Sequence, residues 1–81
     1  MANEWNAWVW VKWKGGTPTT AWEGWQGNPA ILQAWSTQGD WDCCLCLKLS
    51  NHEEVESFVW KYVRSNQWVD QTRTMWSKRW W

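Results

Sequence analysis

Three cysteines and a single histidine are the residues of this chain that could serve a metal or nucleophilic site. Cys43, Cys44 and Cys46 stand in one short cluster, and His52 follows it. Their spacing fits no standard zinc pattern, and in a strand Cys43 would point away from the face that Cys44 and Cys46 share. One histidine cannot support a His-based dyad or triad beyond itself. We therefore expect buried, small hydrophobic cysteines and no metal or other cofactor.

Carboxylates are the remaining candidates for catalysis. Asp40 and Asp42 would share one strand face, but a general acid/base pair also needs a pocket, for which the sequence gives no signal. Glu53, Glu54 and Glu56 suit the first turn of a solvated helix, where the helix dipole favours negative charge. The sequence therefore predicts no catalytic residues and a protein that is not an enzyme.

Bulk composition excludes several classes of protein. Eight basic and eight acidic residues leave a net charge of zero, whereas a dedicated nucleic-acid binder needs a basic footprint. The basic stretch Arg73, Lys78, Arg79 is interpreted as a solvated strand end. No apolar run approaches the roughly 18 residues of a membrane span, and no signal-peptide pattern opens the chain. Three clustered cysteines favour a reducing compartment. We expect one cytoplasmic domain, 1–81, with no membrane or nucleic-acid partner.

Hydrophobic patterning predicts four strands and two helices. The strands are expected at residues 5–14, 31–37, 41–49 and 69–78, with a tight turn at Gly39 joining the middle two. Thr17 and Pro18 resemble a helix start, and Gly27 with Pro29 resembles its end. Ser50 and Glu53 form a capping-box pattern ahead of a helix that runs to about residue 66. Its apolar face is predicted to comprise Val55, Phe58, Val59, Tyr62 and Val63.

The order β-α-β-β-α-β predicts an α+β, ferredoxin-like fold. Right-handed crossovers would place both helices on one face of a four-stranded antiparallel sheet. If Val9, Val11, Leu45 and Leu47 face the helices, the opposite face is left open. That open face would carry Trp8, Trp10, Cys44 and Cys46, an apolar patch that a soluble monomer rarely exposes. A second copy laid sheet to sheet would cover it, giving a dimer like an α+β barrel.

Tryptophan dominates the composition, with 13 of the 81 residues. Because the tryptophans are spread through every segment, we hypothesise that many were introduced by design into an ordinary scaffold; an unusual natural sequence is the alternative. They cannot all fit into one small, densely packed core. We expect Trp80 and Trp81 to lie on the surface and to form contacts between dimers, since aromatic residues commonly anchor interfaces.

Three stretches resemble one known family. Residues 34–42, with Gly39, Asp40, an aromatic and Asp42, resemble the hairpin of the Lrp/AsnC effector domain, also called the RAM domain. Val69 followed by Thr72 and Thr74 resembles that family's closing strand, and the helix 53–63 also fits. The resemblance covers about residues 7–78. Trp68 departs from it, because the family usually has Gly there; Trp would be strained if that position required a positive φ.

The resemblance implies amino-acid effectors bound between dimers that assemble into rings. Gly39, Asp40, Asp42, Thr72 and Thr74 would be the effector contacts. It also implies a role linked to transcription regulation, with this chain a stand-alone version that lacks the regulators' helix-turn-helix domain and their DNA binding. In the plainer interpretation, Gly39-Asp40 is only a hairpin turn and the threonines are ordinary strand residues.

Two other functions stay open. One is a small enzyme or cofactor-binding protein on the related dimeric α+β barrel, because fold alone does not decide function. The other is a purely structural engineered assembly in which no ligand matters. A site inside one barrel with a titratable group would favour the enzyme, whereas ligand contacts at a subunit boundary would favour the effector module.

Overall fold

The computed structural model describes residues 5–49, 51–78 and 80–81. The sheet contains strands β1 (Trp5–Trp13), β2 (Ile31–Ser36), β3 (Cys43–Leu47) and β4 (Val69–Lys78). Between β3 and β4 lies helix α1 (His52–Phe58), which continues as a π-helix (Val59–Val63). The strand order is β2-β3-β1-β4, and every neighbouring pair is antiparallel. The predicted α+β class and four-stranded antiparallel sheet are confirmed.

Strand β1 lies inside the sheet, between β3 and β4. It pairs with β3 on one side, where Val9 lies opposite Leu45, and with β4 on the other, where Val9 lies opposite Thr74. Successive side chains alternate between the two faces of the sheet. Ala7, Val9 and Val11 are therefore fully buried on one face, while Trp8 and Trp10 are half-buried on the other.

The hydrophobic core lies on one face of the sheet. Leu45 and Leu47 of β3 join the buried residues of β1, and Val55, Phe58 and Val63 of the helical segment pack onto them. Burying a large aliphatic or aromatic side chain stabilises a fold by about 1.5–3 kcal/mol. The helical segment and the sheet thus hold each other in place, and the face bearing Trp8 and Trp10 lies opposite this core.

The first crossover differs from the helix predicted after Thr17. Residues 17–30 form turns around a single short 3₁₀ helix, Glu23–Trp25. Thr17 does not act as an N-cap; its hydroxyl donates backwards to the carbonyl oxygen of Lys14. Three threonines, two prolines and two glycines give this segment little intrinsic helix stability, so local turns outcompete a helix. Trp25 still reaches the core and is 7% exposed, which keeps the crossover on the predicted face.

The second helix forms, but its start and its apolar face differ from the prediction. Ser50 of the predicted capping box lies outside the described residues. Asn51 is the N-cap, and its Oδ1 accepts from the backbone N–H groups of Glu53 (2.8 Å) and Glu54 (3.3 Å). Tyr62, predicted to be in the core, is 42% exposed and packs its ring against Phe58 at 5.1 Å. The other predicted apolar positions are buried.

Candidate functional site

The β2–β3 loop presents the first three candidate residues. Its closure comes from two hydrogen bonds of Thr37, whose backbone N–H donates to Asp42 O (2.9 Å) and whose hydroxyl donates to Trp41 O (2.7 Å). Gly39 has φ +105°, a conformation that other residues rarely adopt. Asp40 follows it and is exposed. The loop therefore holds Gly39 and Asp40 at a fixed, solvent-facing tip.

Asp42 connects this loop to the central strand. Its backbone N–H donates to Val11 O at 2.9 Å, and its Oδ2 accepts from the backbone N–H of Trp13 at 2.8 Å. A carboxylate that accepts a backbone N–H makes one of the stronger kinds of hydrogen bond. Asp42 thus fixes the end of β1 while its carboxylate stays at the protein surface.

Thr72 and Thr74 lie on β4, at the far edge of the sheet from β2. Thr72 is opposite Val11 and half-buried, whereas Thr74 is opposite Val9 and exposed. Because β1 separates β3 from β4, one chain gathers Gly39, Asp40 and Asp42 in one loop but places the threonines across the sheet. Thr72 and Asp42 are both level with Val11, at the same end of the sheet.

The open face of the sheet carries the four predicted interface residues in two rows. Trp8 lies opposite Cys46, and Trp10 lies opposite Cys44. Both cysteines are buried already in the single chain: Cys44 is 4% exposed and Cys46 is 6% exposed. Trp35 of β2 lies opposite Cys44 and lengthens that row, and Met75 of β4 lies opposite Trp8 and lengthens the other row. These two residues are 56% and 47% exposed, so the centre of the face is apolar and only partly covered, with Gln33 and Arg73 beside it.

All three thiols have a raised pKa. Burial raises the pKa of Cys43 from 9.0 to about 11, with smaller contributions from Cys44 and the charge of Asp42, and a hydrogen bond from the Trp13 side chain opposes them. Burial also raises the pKa of Cys44 and of Cys46, the latter with help from Cys44. The thiol form predominates near neutral pH, and the thiolate is the form that reacts and binds metals. Within the described ranges, no three His, Cys, Asp or Glu residues are grouped to hold a metal ion.

Sequence reasoning missed a cleft beside the 3₁₀ segment. It has a volume of about 510 Å³ and lies between β2 and the first crossover. Trp13, Trp22 and Trp25 line it, together with Asp42 and Cys43. The indole rings of Trp13 and Trp25 stack at 5.3 Å, and Trp25 Nε1 donates to Tyr62 O at 2.7 Å. The available signal was the cluster of tryptophans around Gly24, in a segment predicted to be helical.

The remaining tryptophans of interest lie at the chain end and before β4. Trp80 and Trp81 are 86% and 91% exposed, with their rings 6.3 Å apart, as expected for surface residues. Trp68 shows no strain of the kind the resemblance suggested, because no described residue other than glycine has a positive φ. None of the helices formed by the described residues is long and apolar enough to cross a membrane.

Comparison with known proteins identifies the family. The model of the Lrp/AsnC ligand binding domain matches residues 6–79. No curated protein matches the chain by sequence. Three solved structures illustrate the fold similarity. One from Thermus thermophilus is 23% identical with a TM-score of 0.78, and the match covers 93% of this chain and 94% of that one.

The other two structures are about twice as long as the matched region. Escherichia coli AsnC is 9% identical with a TM-score of 0.80, and the match covers 94% of this chain and 52% of AsnC. A Neisseria meningitidis transcriptional regulator solved as a complex with L-Met is 16% identical with a TM-score of 0.76, covering 93% and 50%. The fold is thus the ferredoxin-like one of these domains, and the family match spans nearly the whole chain. The chain belongs to the Lrp/AsnC ligand binding domain family.

Proposed function

We propose that this domain is a self-assembling module that binds a free amino acid at a boundary between subunits. The open sheet face is the observation that carries the proposal. Trp8 and Trp10 are half-buried there, and Trp35 and Met75 are about half exposed. Apolar patches of this kind on small proteins usually mark interaction sites. A second copy laid on this face gives the dimer, and contacts between dimers, including Trp80 and Trp81, extend it to a ring.

The effector site of this proposal combines the loop tip with the threonines of another subunit. Gly39, Asp40 and Asp42 are exposed in the β2–β3 loop, and Thr72 and Thr74 lie on an edge strand. The Asp40 carboxylate suits the ammonium group of an amino acid, while backbone N–H groups of the tip suit its carboxylate. The complex of the Neisseria regulator with L-Met supports an amino acid as the ligand.

The remaining parts of the proposal concern setting and origin. A domain of a ligand-binding family acts in regulation rather than catalysis, and we assign it no catalytic residue or cofactor. Three free cysteines suit the reducing cytoplasm. We also propose that it has no specific DNA affinity of its own, which its net charge of zero supports. Trp22 and Trp35, each about half exposed, fit the hypothesis that tryptophans were added to an ordinary scaffold by design.

Calorimetric titration with a panel of L-amino acids tests effector binding. We expect at least one to bind, and Asp40→Asn or Thr72→Val to weaken it by about tenfold, the loss of one good hydrogen bond to a charged ligand. Thr19→Val is the matched control, because Thr19 is an exposed threonine of the first crossover, outside the proposed site. Equal weakening by all three variants, or no binding of any amino acid, contradicts the proposed site.

A further inference from the structure

The helical segment between β3 and β4 buries one side against the sheet and leaves the opposite side exposed. We call that exposed side the outer helical face; its residues are Glu53, Glu56, Ser57, Trp60, Lys61 and Arg64. All of them except Arg64 line one shallow hollow of about 640 Å³. The guanidinium carbon of Arg64 lies 4.5 Å from the centroid of the Trp60 ring. The face is therefore continuous through the change from α-helix to π-helix.

The charges of the outer helical face are separated along its length. Glu53 and Glu56 lie at its beginning, whereas Lys61 and Arg64 lie at its end, so the face has no net charge. Among the described residues, no ion pair engages these four side chains. The cation–π contact with Trp60 holds Arg64 along the face. An acidic end and a basic end are thus both presented to a partner.

An antiparallel copy of the same face complements it residue by residue. With a two-fold axis at the middle of the segment, Glu53 lies opposite Arg64 and Glu56 lies opposite Lys61. The same register places the large Trp60 opposite the small Ser57, which lines the hollow. A two-fold interface uses one surface patch on both copies, so that patch must complement itself. The outer helical face meets this condition in charge and in side-chain size.

We propose that the outer helical face is a second interface between copies of this chain, in which two helical segments pack antiparallel about a two-fold axis. Trp60 of each copy occupies the hollow beside Ser57 of the other, and the oppositely charged ends pair. A nucleic acid or an anionic membrane surface would instead require a net positive face. The contact lies on the other side of the sheet from Trp8 and Trp10, so it does not depend on assembly through the open sheet face.

Light scattering over a range of chain concentrations tests this interface. One helical face is smaller than the roughly 1,200–2,000 Å² of stable interfaces, so we expect a dissociation constant on the order of 0.1–1 mM. The mass should then rise by about half between about 10 µM and 1 mM chain. Glu56→Lys and Lys61→Glu each place like charges opposite one another at two symmetric positions. Each should weaken association by about tenfold and remove most of the rise. Glu23→Lys is the matched control, because Glu23 is an exposed acid of the 3₁₀ segment; it should keep the rise.

An equimolar mixture of Glu56→Lys and Lys61→Glu separates pairing from structural damage. In a mixed pair every acidic residue again faces a basic one, so the rise in mass should return. Trp60→Ser removes the central side chain without changing the charge and should also suppress the rise. Circular dichroism confirms that each variant is folded.

Three results would overturn the proposed interface: no rise for the unmodified chain, a rise that the reversals or Trp60→Ser leave unchanged, or no recovery in the mixture. The mass at about 10 µM reports separately on the open sheet face, since the helical contact is mostly dissociated there. A mass of 9.8 kDa at that concentration contradicts the proposed function, while the rise at higher concentration still decides the helical interface.

Discussion

Trp25 is expected to hold the first crossover onto the rest of the domain. It is 7% exposed, stacks on Trp13 at 5.3 Å and donates from Nε1 to Tyr62 O at 2.7 Å. Carbonyls in the last turn of a helix lack intrahelical partners, so this bond satisfies a group that the helix itself leaves unpaired. The crossover has no α-helix to stabilise it locally. Its position therefore depends on this side chain, together with the hydrogen bond that Asn66 Nδ2 donates to Ala21 O at 2.8 Å.

The expected cost of removing Trp25 follows from these contacts. A buried tryptophan hides about 150–250 Å² from water, and at about 25 cal/mol per Å² that amounts to roughly 4–6 kcal/mol as an upper estimate. Measured truncations of buried aromatics cost about 3–5 kcal/mol. We expect that loss in the free energy of unfolding for Trp25→Ala. Trp25→Phe keeps most of the apolar contact but loses the hydrogen bond to Tyr62, so we expect about 1–3 kcal/mol.

Urea unfolding followed by far-ultraviolet circular dichroism measures both changes at one fixed protein concentration. The expected loss approaches the whole stability of a small domain, which is about 5–15 kcal/mol, so Trp25→Phe supplies the measurable intermediate. Trp22→Ala is the matched control, because Trp22 lies in the same crossover but is 42% exposed; its cost should be about 1 kcal/mol or less. A cost below 1 kcal/mol for Trp25→Ala, or equal costs for Trp25→Ala and Trp22→Ala, refutes this role.

Three further predictions follow from burial and charge. Phe58→Ala should cost about 3–5 kcal/mol in urea unfolding, whereas Trp60→Ala, at a position 65% exposed on the same helical segment, should cost less than about 1 kcal/mol. The folded-state pKa of Cys43 is raised from 9.0 to about 11, so its thiol ionises first in the unfolded chain. The free energy of unfolding should therefore fall as pH rises from 9 towards 11, and it should fall less in Cys43→Ala. Replacing Trp80 and Trp81 by Ser should lower the mass of the assembly in light scattering or its thermal stability, and unchanged values for both would show that these residues form no contact between dimers.

Strong periodic patterns predicted the sheet and the second helix correctly. Alternation in β1 identified Val9 and Val11 as part of one buried face, and the positions Val55, Phe58, Val59 and Val63 identified the helix face. These patterns are reliable because the buried face of a strand or helix requires apolar residues at the spacing of that element. Strand ends shifted by one or two positions: β3 begins at Cys43 rather than Trp41, since Trp41 and Asp42 belong to the loop closed by Thr37.

Weak local signals gave the errors. Thr17 and Pro18 satisfy the pattern of a helix start, but the Thr17 hydroxyl bonds to Lys14 O and the segment lacks strong helix formers. The cleft beside Trp25 is lined by residues of this same segment and was missed with it. Tyr62 fits the period of an α-helix, but the chain turns as a π-helix from Val59, where a backbone N–H of Arg64 bonds Val59 O at 2.7 Å. Periodicity cannot reveal such a local change in helix geometry.

The resemblance located the candidate effector residues in the sequence, but the sequence could not predict whether they come together in space. The loop places Gly39, Asp40 and Asp42 together, as a hairpin must. Thr72 and Thr74 lie on the opposite side of β1, and whether they meet the loop of another copy depends on contacts between subunits rather than on any pattern within one chain. Proposed assembly through the open face is therefore the claim on which the effector site depends.

Light scattering of the purified chain at micromolar concentration tests that claim most directly. The matched pair of variants is Trp10→Glu, on the half-buried open face, and Trp60→Glu, on the exposed helical surface. We predict a mass at least twice the 9.8 kDa of one chain for the unmodified protein and for Trp60→Glu, and a lower mass for Trp10→Glu. A folded 9.8 kDa monomer for the unmodified chain, or a mass that Trp10→Glu leaves unchanged, would contradict assembly through the open face.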